Sequence, residues 1–301
     1  MFFTYIVDYL KSVAELFIEM APYLLLGMTI AGILYVAISK RFVARHIGGH
    51  SFLSVIKAAV FGVPLPLCSC GVLPTSVYLK DSGASKPAVL SFLIATPQTG
   101  VDSIIATYGM LGPFFAFFKA LSALVLGTIG GAVGLITGKR EHTEEHANQY
   151  TGVDNRGMSL AERAKTMINY AYVEFVDSIA LRFVIGLLIA GLISLVIPDD
   201  FFAETRFASG LPGMLLMIAI GTPLYVCSTS SLPIAVALVA KGFSPGAAFV
   251  FLIAGPATNA ATIAILWRVL GKKTLATYLG TIMVGAVGMG FLLNLLLLQW
   301  Q

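Results

Sequence analysis

All three cysteines of the chain lie in two proline-bearing stretches. Cys68 and Cys70 fall in Gly62-Val63-Pro64-Leu65-Pro66-Leu67-Cys68-Ser69-Cys70-Gly71-Val72-Leu73-Pro74. Cys227 falls in Gly221-Thr222-Pro223-Leu224-Tyr225-Val226-Cys227-Ser228-Thr229-Ser230-Ser231-Leu232-Pro233. Thiolates are soft ligands that select soft cations and thiophilic metalloids. Ser69, Ser228 and Thr229 add hydroxyl oxygens beside them. A buried cysteine is ordinarily a small hydrophobe. Three thiols confined to two matching stretches instead point to a site for a soft metal ion or metalloid. Cys68-Ser69-Cys70 is too tight for the Cys-x-x-Cys knuckle of a closed zinc site. A transient substrate site is therefore expected, with no resident cofactor.

Thr96-Pro97-Gln98-Thr99 and Gly255-Pro256-Ala257-Thr258-Asn259 form a second matching pair. Gln98, Thr99, Thr258 and Asn259 are polar groups inside apolar runs. Two readings stand side by side: they line a pathway, or they satisfy backbone groups freed by Pro97 and Pro256. Asp102 is a carboxylate well inside an apolar run. Such a residue costs about 2.5–3.5 kcal/mol to place in a membrane and is functional by default. Asp102 is the candidate for a coupling proton or a counter-charge; an interfacial, hydrogen-bonding role is the plainer alternative. The histidine pairs His46/His50 and His142/His146 read as solvated loops, because Gly48-Gly49 breaks the first and the second lacks the zincin order. Neither Gly134–Lys139 nor Gly271–Thr274 completes a phosphate-binding loop. No nucleotide or nucleic-acid partner is expected.

These groups need elements to hold them. The 301 residues are 57% hydrophobic and 11% charged, with mean hydropathy +0.89. A soluble domain carries roughly 25% charged residues, so the chain is an all-α, multi-pass membrane protein with the bilayer as its first partner. Eight apolar segments stand out at 20–38, 51–79, 87–111, 113–136, 178–197, 211–240, 245–267 and 275–298. A helix needs roughly 20 apolar residues to cross. The polar stretch 139–174 divides the segments four and four, giving membrane repeats at 1–138 and 175–301. Ser159-Leu160-Ala161-Glu162 within the linker is a capping box that announces a surface helix.

The halves match at a constant offset of 159: Pro64 with Pro223, Cys68 with Cys227, Pro97 with Pro256 and Thr99 with Thr258. Lys40, Arg41, Arg45 and Lys57, then Lys139, Arg140, Arg156, Arg163 and Lys165, then Arg268, Lys272 and Lys273 make three basic clusters. They share the cytoplasmic side, as positive-inside bias demands, only if one segment per half enters and returns. The repeats are then inverted, with broken helices near the midplane. Proline disrupts a helix interior, so 51–79 is favoured as that segment, with the Pro97 and Pro256 segments as rivals. Glycine runs in segments four and eight read as close packing within the monomer, with a homodimer face as the alternative.

On the Val63–Pro74 motif, Gly83-Ala84-Ser85-Lys86 and Phe92-Leu93-Ile94-Ala95-Thr96-Pro97-Gln98-Thr99-Gly100-Val101-Asp102-Ser103, the chain resembles the bacterial predicted-permease family. That family includes trivalent organoarsenical efflux permeases and proteins labelled as copper/zinc efflux transporters. The resemblance spans nearly the whole chain. It implies an inner-membrane permease whose motif cysteines, here Cys68 and Cys70, contact the exported metal or metalloid. The expected function is export of a thiophilic heavy-metal ion or trivalent arsenical by alternating access, not enzymatic turnover. The alternatives are a membrane thiol–disulfide relay through Cys68 and Cys227, and a permease for an anionic or sulfur-containing solute held by half-helix N-termini.

Overall fold

The computed structural model describes residues 40–65, 67, 69–137, 210–222, 231–240, 242–258 and 270–298, with isolated residues 18, 29, 165, 168, 169, 226, 228, 229, 262, 263, 266 and 267. Most of the segments expected at 20–38 and 178–197, and the linker capping box, lie outside them. All described regular structure is helical. The first half holds α1 (Lys40–Ile47), α2 (Phe52–Gly62), α3 (Ser69–Asp81), α4 (Lys86–Ala95), a 3-10 turn (Thr96–Gln98), α5 (Val101–Leu111) and α6 (Pro113–Thr137). The second holds α7 (Gly210–Gly221), α8 (Ser231–Ala240), α9 (Pro245–Ala257) and α10 (Lys272–Leu298).

Only α6 and α10, of 25 and 27 residues, are long and apolar enough among the described helices to cross a bilayer unbroken. The other apolar segments are in pieces, and proline explains where. Ser51 caps α2, its side chain accepting from Ser54 N–H at 3.3 Å. The helix then stops before Pro64, and Leu65 and Leu67 are non-helical. At 1.5 Å per residue, α2 reaches roughly 16 Å and α3 roughly 20 Å; neither spans a core of about 30 Å. The third segment breaks too: its axis turns by 43° between Lys86–Gln98 and Ser103–Leu111. The turn follows Pro97, with Gly100 at φ −47°, ψ 147° heading α5. The sequence singled out one broken segment per half, and the first half has two.

Helix bounds recur at the offset of 159. α2 and α7 end at Gly62 and Gly221, α4 and α9 begin at Lys86 and Pro245, and α6 and α10 begin at Pro113 and Lys272. Left-handed glycines recur with them, Gly83 and Gly242 at φ 93° and 94°, Gly112 and Gly271 at φ 89° and 84°. Only glycine adopts such angles readily.

The core is built around α4 and α9. Pro87 to Ala95 and Gly246 to Ala257 are buried on every side, as befits helices apolar all round. Glycines bring the long helices onto them. A Cβ at Gly131 would lie 2.4 Å from Val55 and 3.0 Å from the Pro87 carbonyl. The same crossing recurs at Gly290, where a Cβ would lie 2.7 Å from the Gly246 carbonyl. These seams pack α6 on α4 and α10 on α9 within one chain. Phe118 of α6 and Phe249 of α9, with ring centroids 5.1 Å apart, join the halves.

Gly246→Leu is expected to lower stability by about 1–3 kcal/mol, the usual cost of overpacking. The upper end applies because the first atom met is the Gly290 carbonyl. Thermal unfolding in detergent would read it, and an unchanged midpoint would contradict the crossing.

Candidate functional site

Proline at 97 supplies no N–H and interrupts the α4 ladder. The side chains around it take over. Thr96 Oγ1 donates to Phe92 O at 2.8 Å, Gln98 Nε2 to Ile94 O at 2.8 Å, and Thr99 Oγ1 to Ala95 O at 3.0 Å. In the second half Thr258 Oγ1 donates to Ala254 O at 2.6 Å. Thr96, Gln98, Thr99 and Thr258 are wholly buried. A carbonyl facing hydrocarbon must find a donor; Gln98 and Thr99 bring side-chain donors to the Ile94 and Ala95 carbonyls, whereas Phe92 O and Ala254 O also accept from the Thr96 and Thr258 backbone N–H groups. One atom is left over: Gln98 Oε1 has no partner among the described residues.

Beside this break lies a polar junction between the halves. Lys119 of α6 is 1% exposed. Its ammonium donates to Ser103 Oγ at 2.6 Å, Ser228 Oγ at 3.3 Å and Thr107 Oγ1 at 3.4 Å. Ser103 Oγ and Ser228 Oγ are 2.6 Å apart, and Ser228 Oγ donates to Gln98 O at 3.3 Å. The Ser103 hydroxyl has a second acceptor in reach, the Ser228 carbonyl at 3.3 Å, so the bond between the two hydroxyls can run in either direction. Thr107 Oγ1 donates to Ser103 O at 2.6 Å and Ser231 Oγ to Ser228 O at 3.0 Å, fixing both ends. Ser228 belongs to the second cysteine stretch, whereas Gln98 and Ser103 flank the Pro97 break. The motif of one half thus docks on the other half's broken helix.

Tyr278 occupies the position in α10 that Lys119 occupies in α6, 159 residues on. Its hydroxyl donates to the Ala257 carbonyl at 2.5 Å. Each long helix therefore places one polar tip at the end of its neighbouring broken helix.

The expected site residues divide. Cys68, Cys227, Pro223 and Asn259 lie outside the described residues. Ser69 and Cys70 open α3, and Asp102 falls in the first turn of α5. Pro64 is exposed at the first break, Thr229 is half-buried in a turn, and Pro256 is buried within α9. Ser228, Gln98 and the Pro97 break come together; the described residues do not locate the thiols. Among them no group of three His, Cys, Asp or Glu could hold a metal ion. Sequence reading missed Lys119, Ser103, Thr107 and Ser231. One signal was available: Lys119 is the only charged residue between Pro113 and Thr137, and a charge inside a span marks function as much as Asp102 does.

A family model described as predicted permease matches residues 7–295. A UPF0718 protein of Methanocaldococcus jannaschii is 23% identical, over 97% of this chain and 94% of its own. The UPF0718 protein YcgR of Bacillus subtilis is 25% identical, over 90% and 92%. A Streptococcus mutans protein, provisionally named a two-component membrane permease complex subunit, is 21% identical over 89% and 88%. No solved structure matches the chain. With broken helices docked through a buried lysine, and with a family match along almost its whole length, the chain belongs to the predicted-permease family.

Proposed function

We propose that this permease exports a thiophilic heavy-metal ion or trivalent arsenical across the inner membrane, by alternating access between two inverted halves. The observation that carries the reading is the docking of Ser228 on Gln98 and Ser103. Ser228 follows Cys227 directly, so the thiol-bearing stretch of one half belongs to the segment that meets the broken helix of the other. Transporters of inverted design bind substrate at such broken helices and rock one repeat against the other. Cys68, Cys70 and Cys227 would bind the substrate as thiolates, with Ser69, Ser228 and Thr229 beside them. Asp102 would couple the cycle to a proton. The recurrence of helix bounds and glycine turns at one offset supports two equivalent halves. The three basic clusters support a cytoplasmic placement of the loops that carry them.

Uptake into inverted vesicles, whose cytoplasmic face is outward, tests the reading. Copper, zinc, arsenite and methylarsenite would be offered with and without a pH gradient. Cys68→Ser and Cys227→Ser are each expected to lower export about tenfold or more, the effect of losing roughly 1.4 kcal/mol of binding, at unchanged expression. Undiminished export with all three cysteines replaced would rule out the thiolate mechanism.

A further inference from the structure

We propose that the side-chain oxygen of Gln98 accepts a hydrogen bond from the transported solute, and that the site therefore takes an uncharged, hydroxylated species in preference to a bare metal cation. The inference rests on the permease reading above.

The amide orientation is fixed by its neighbour. The end of Gln98 that lies 2.8 Å from the Ile94 carbonyl must be the NH2 group, because an oxygen there would set lone pair against lone pair. Oε1 is then left inside a residue of 0% exposure with no partner among the described residues. A buried acceptor of this kind calls for an explanation.

Helix repair does not supply one. The groups a proline break frees are carbonyls, which an acceptor oxygen cannot satisfy. The equivalent residue of the second half is Ala257, and among the described residues Tyr278 donates to its carbonyl. Location adds to the case: the backbone carbonyl of Gln98 receives Ser228 from the other half, so the unpaired oxygen belongs to the residue where the halves meet. An amide oxygen is a neutral acceptor suited to an O–H donor, whereas a soft metal ion is held by thiolate or imidazole in preference to a carbonyl oxygen. A trivalent metalloid acid carries O–H groups on a thiophilic centre and suits both the amide and the neighbouring cysteine stretch.

Two measurements test this. In a background of Cys68→Ser, Cys70→Ser and Cys227→Ser, a Gln98→Cys variant is treated from each side with a membrane-impermeant methanethiosulfonate. Labelling from one side is expected at a rate about tenfold above that of Phe92→Cys, an equally buried control on α4. Absence of labelling from both sides overturns the assignment. In inverted vesicles, Gln98→Leu is expected to raise KM for arsenous acid about tenfold with kcat nearly kept, the signature of lost uniform binding. The KM for zinc is expected to rise less than that for arsenous acid in the same variant. An unshifted KM, or an equal shift for zinc, overturns the donor assignment. If the unsubstituted protein moves no probe, the substrate reading fails and the donor assignment with it, while labelling alone still decides whether Gln98 lies on the pathway.

Discussion

Lys119→Met is expected to lower transport about tenfold or more while leaving the protein folded. Methionine matches lysine in length and volume but carries no charge. The ammonium is buried among three hydroxyls, and its desolvation offsets much of what those bonds return. Removing the donor leaves its partners less satisfied, at a cost of about 1–3 kcal/mol, which should leave the protein folded. Without the ammonium, the Ser103 hydroxyl loses its donor and the Ser228 stretch loses its clamp, and a loss of about tenfold or more corresponds to roughly 1.4 kcal/mol of transition-state stabilisation. Lys119→Ala differs in kind: it also leaves a cavity in the packed face of α6 and should cost about 2–5 kcal/mol of stability. Vesicle transport and detergent melting, measured on both variants, separate the two effects. Wild-type transport by the methionine variant would reduce Lys119 to a packing group.

Joining Ser103 to Ser228 covalently is expected to stop the cycle. Their hydroxyl oxygens are 2.6 Å apart, close to the arrangement that a disulfide of about 2.05 Å between sulfurs requires. The double variant Ser103→Cys, Ser228→Cys should cross-link under mild oxidant and lose about nine-tenths of its transport, because alternating access needs the halves to part. Reduction should restore it. Peptide mass mapping must accompany the assay, since Cys227 adjoins position 228 and a linkage to Cys227 would be a different experiment. A linked protein that still transports would show that the halves do not separate at this junction.

Much of the architecture was legible because breakers punctuate it. Pro64, Pro97, Pro223 and Pro256 recur at one spacing, and a residue without an N–H leaves a mark in sequence wherever it falls. Glycines with positive φ recur alike, so the helix bounds followed. The extent of breakage was less legible. The Pro97 segment stood only as a rival to 51–79 for the broken segment, and both are broken in the first half. The junction was legible only in part. Ser103 and Ser228 are 125 residues apart, and no periodicity reports how two helices turn towards each other. Lys119 was passed over because the search for chemistry followed thiols and carboxylates, and its repeat partner is a tyrosine rather than a second lysine. Lysine and tyrosine share the position but reach different acceptors, side-chain hydroxyls in one half and a backbone carbonyl in the other, which composition does not reveal.

The shortness of the inner helices also bears on how the chain enters a membrane. Between Phe52 and Leu111 each described helix has 13 residues or fewer, and the first full-length helix to follow is α6. Pieces of that size leave backbone groups bare at both ends, which hydrocarbon does not tolerate. A translocon cannot release them singly as the ribosome makes them; they must wait in a protected place until α6 emerges and its glycines close on α4. The second half repeats the schedule, with α10 arriving after α7, α8 and α9. Synthesis order thus becomes insertion order, and the last helix of each half is the one that lets its companions go into lipid.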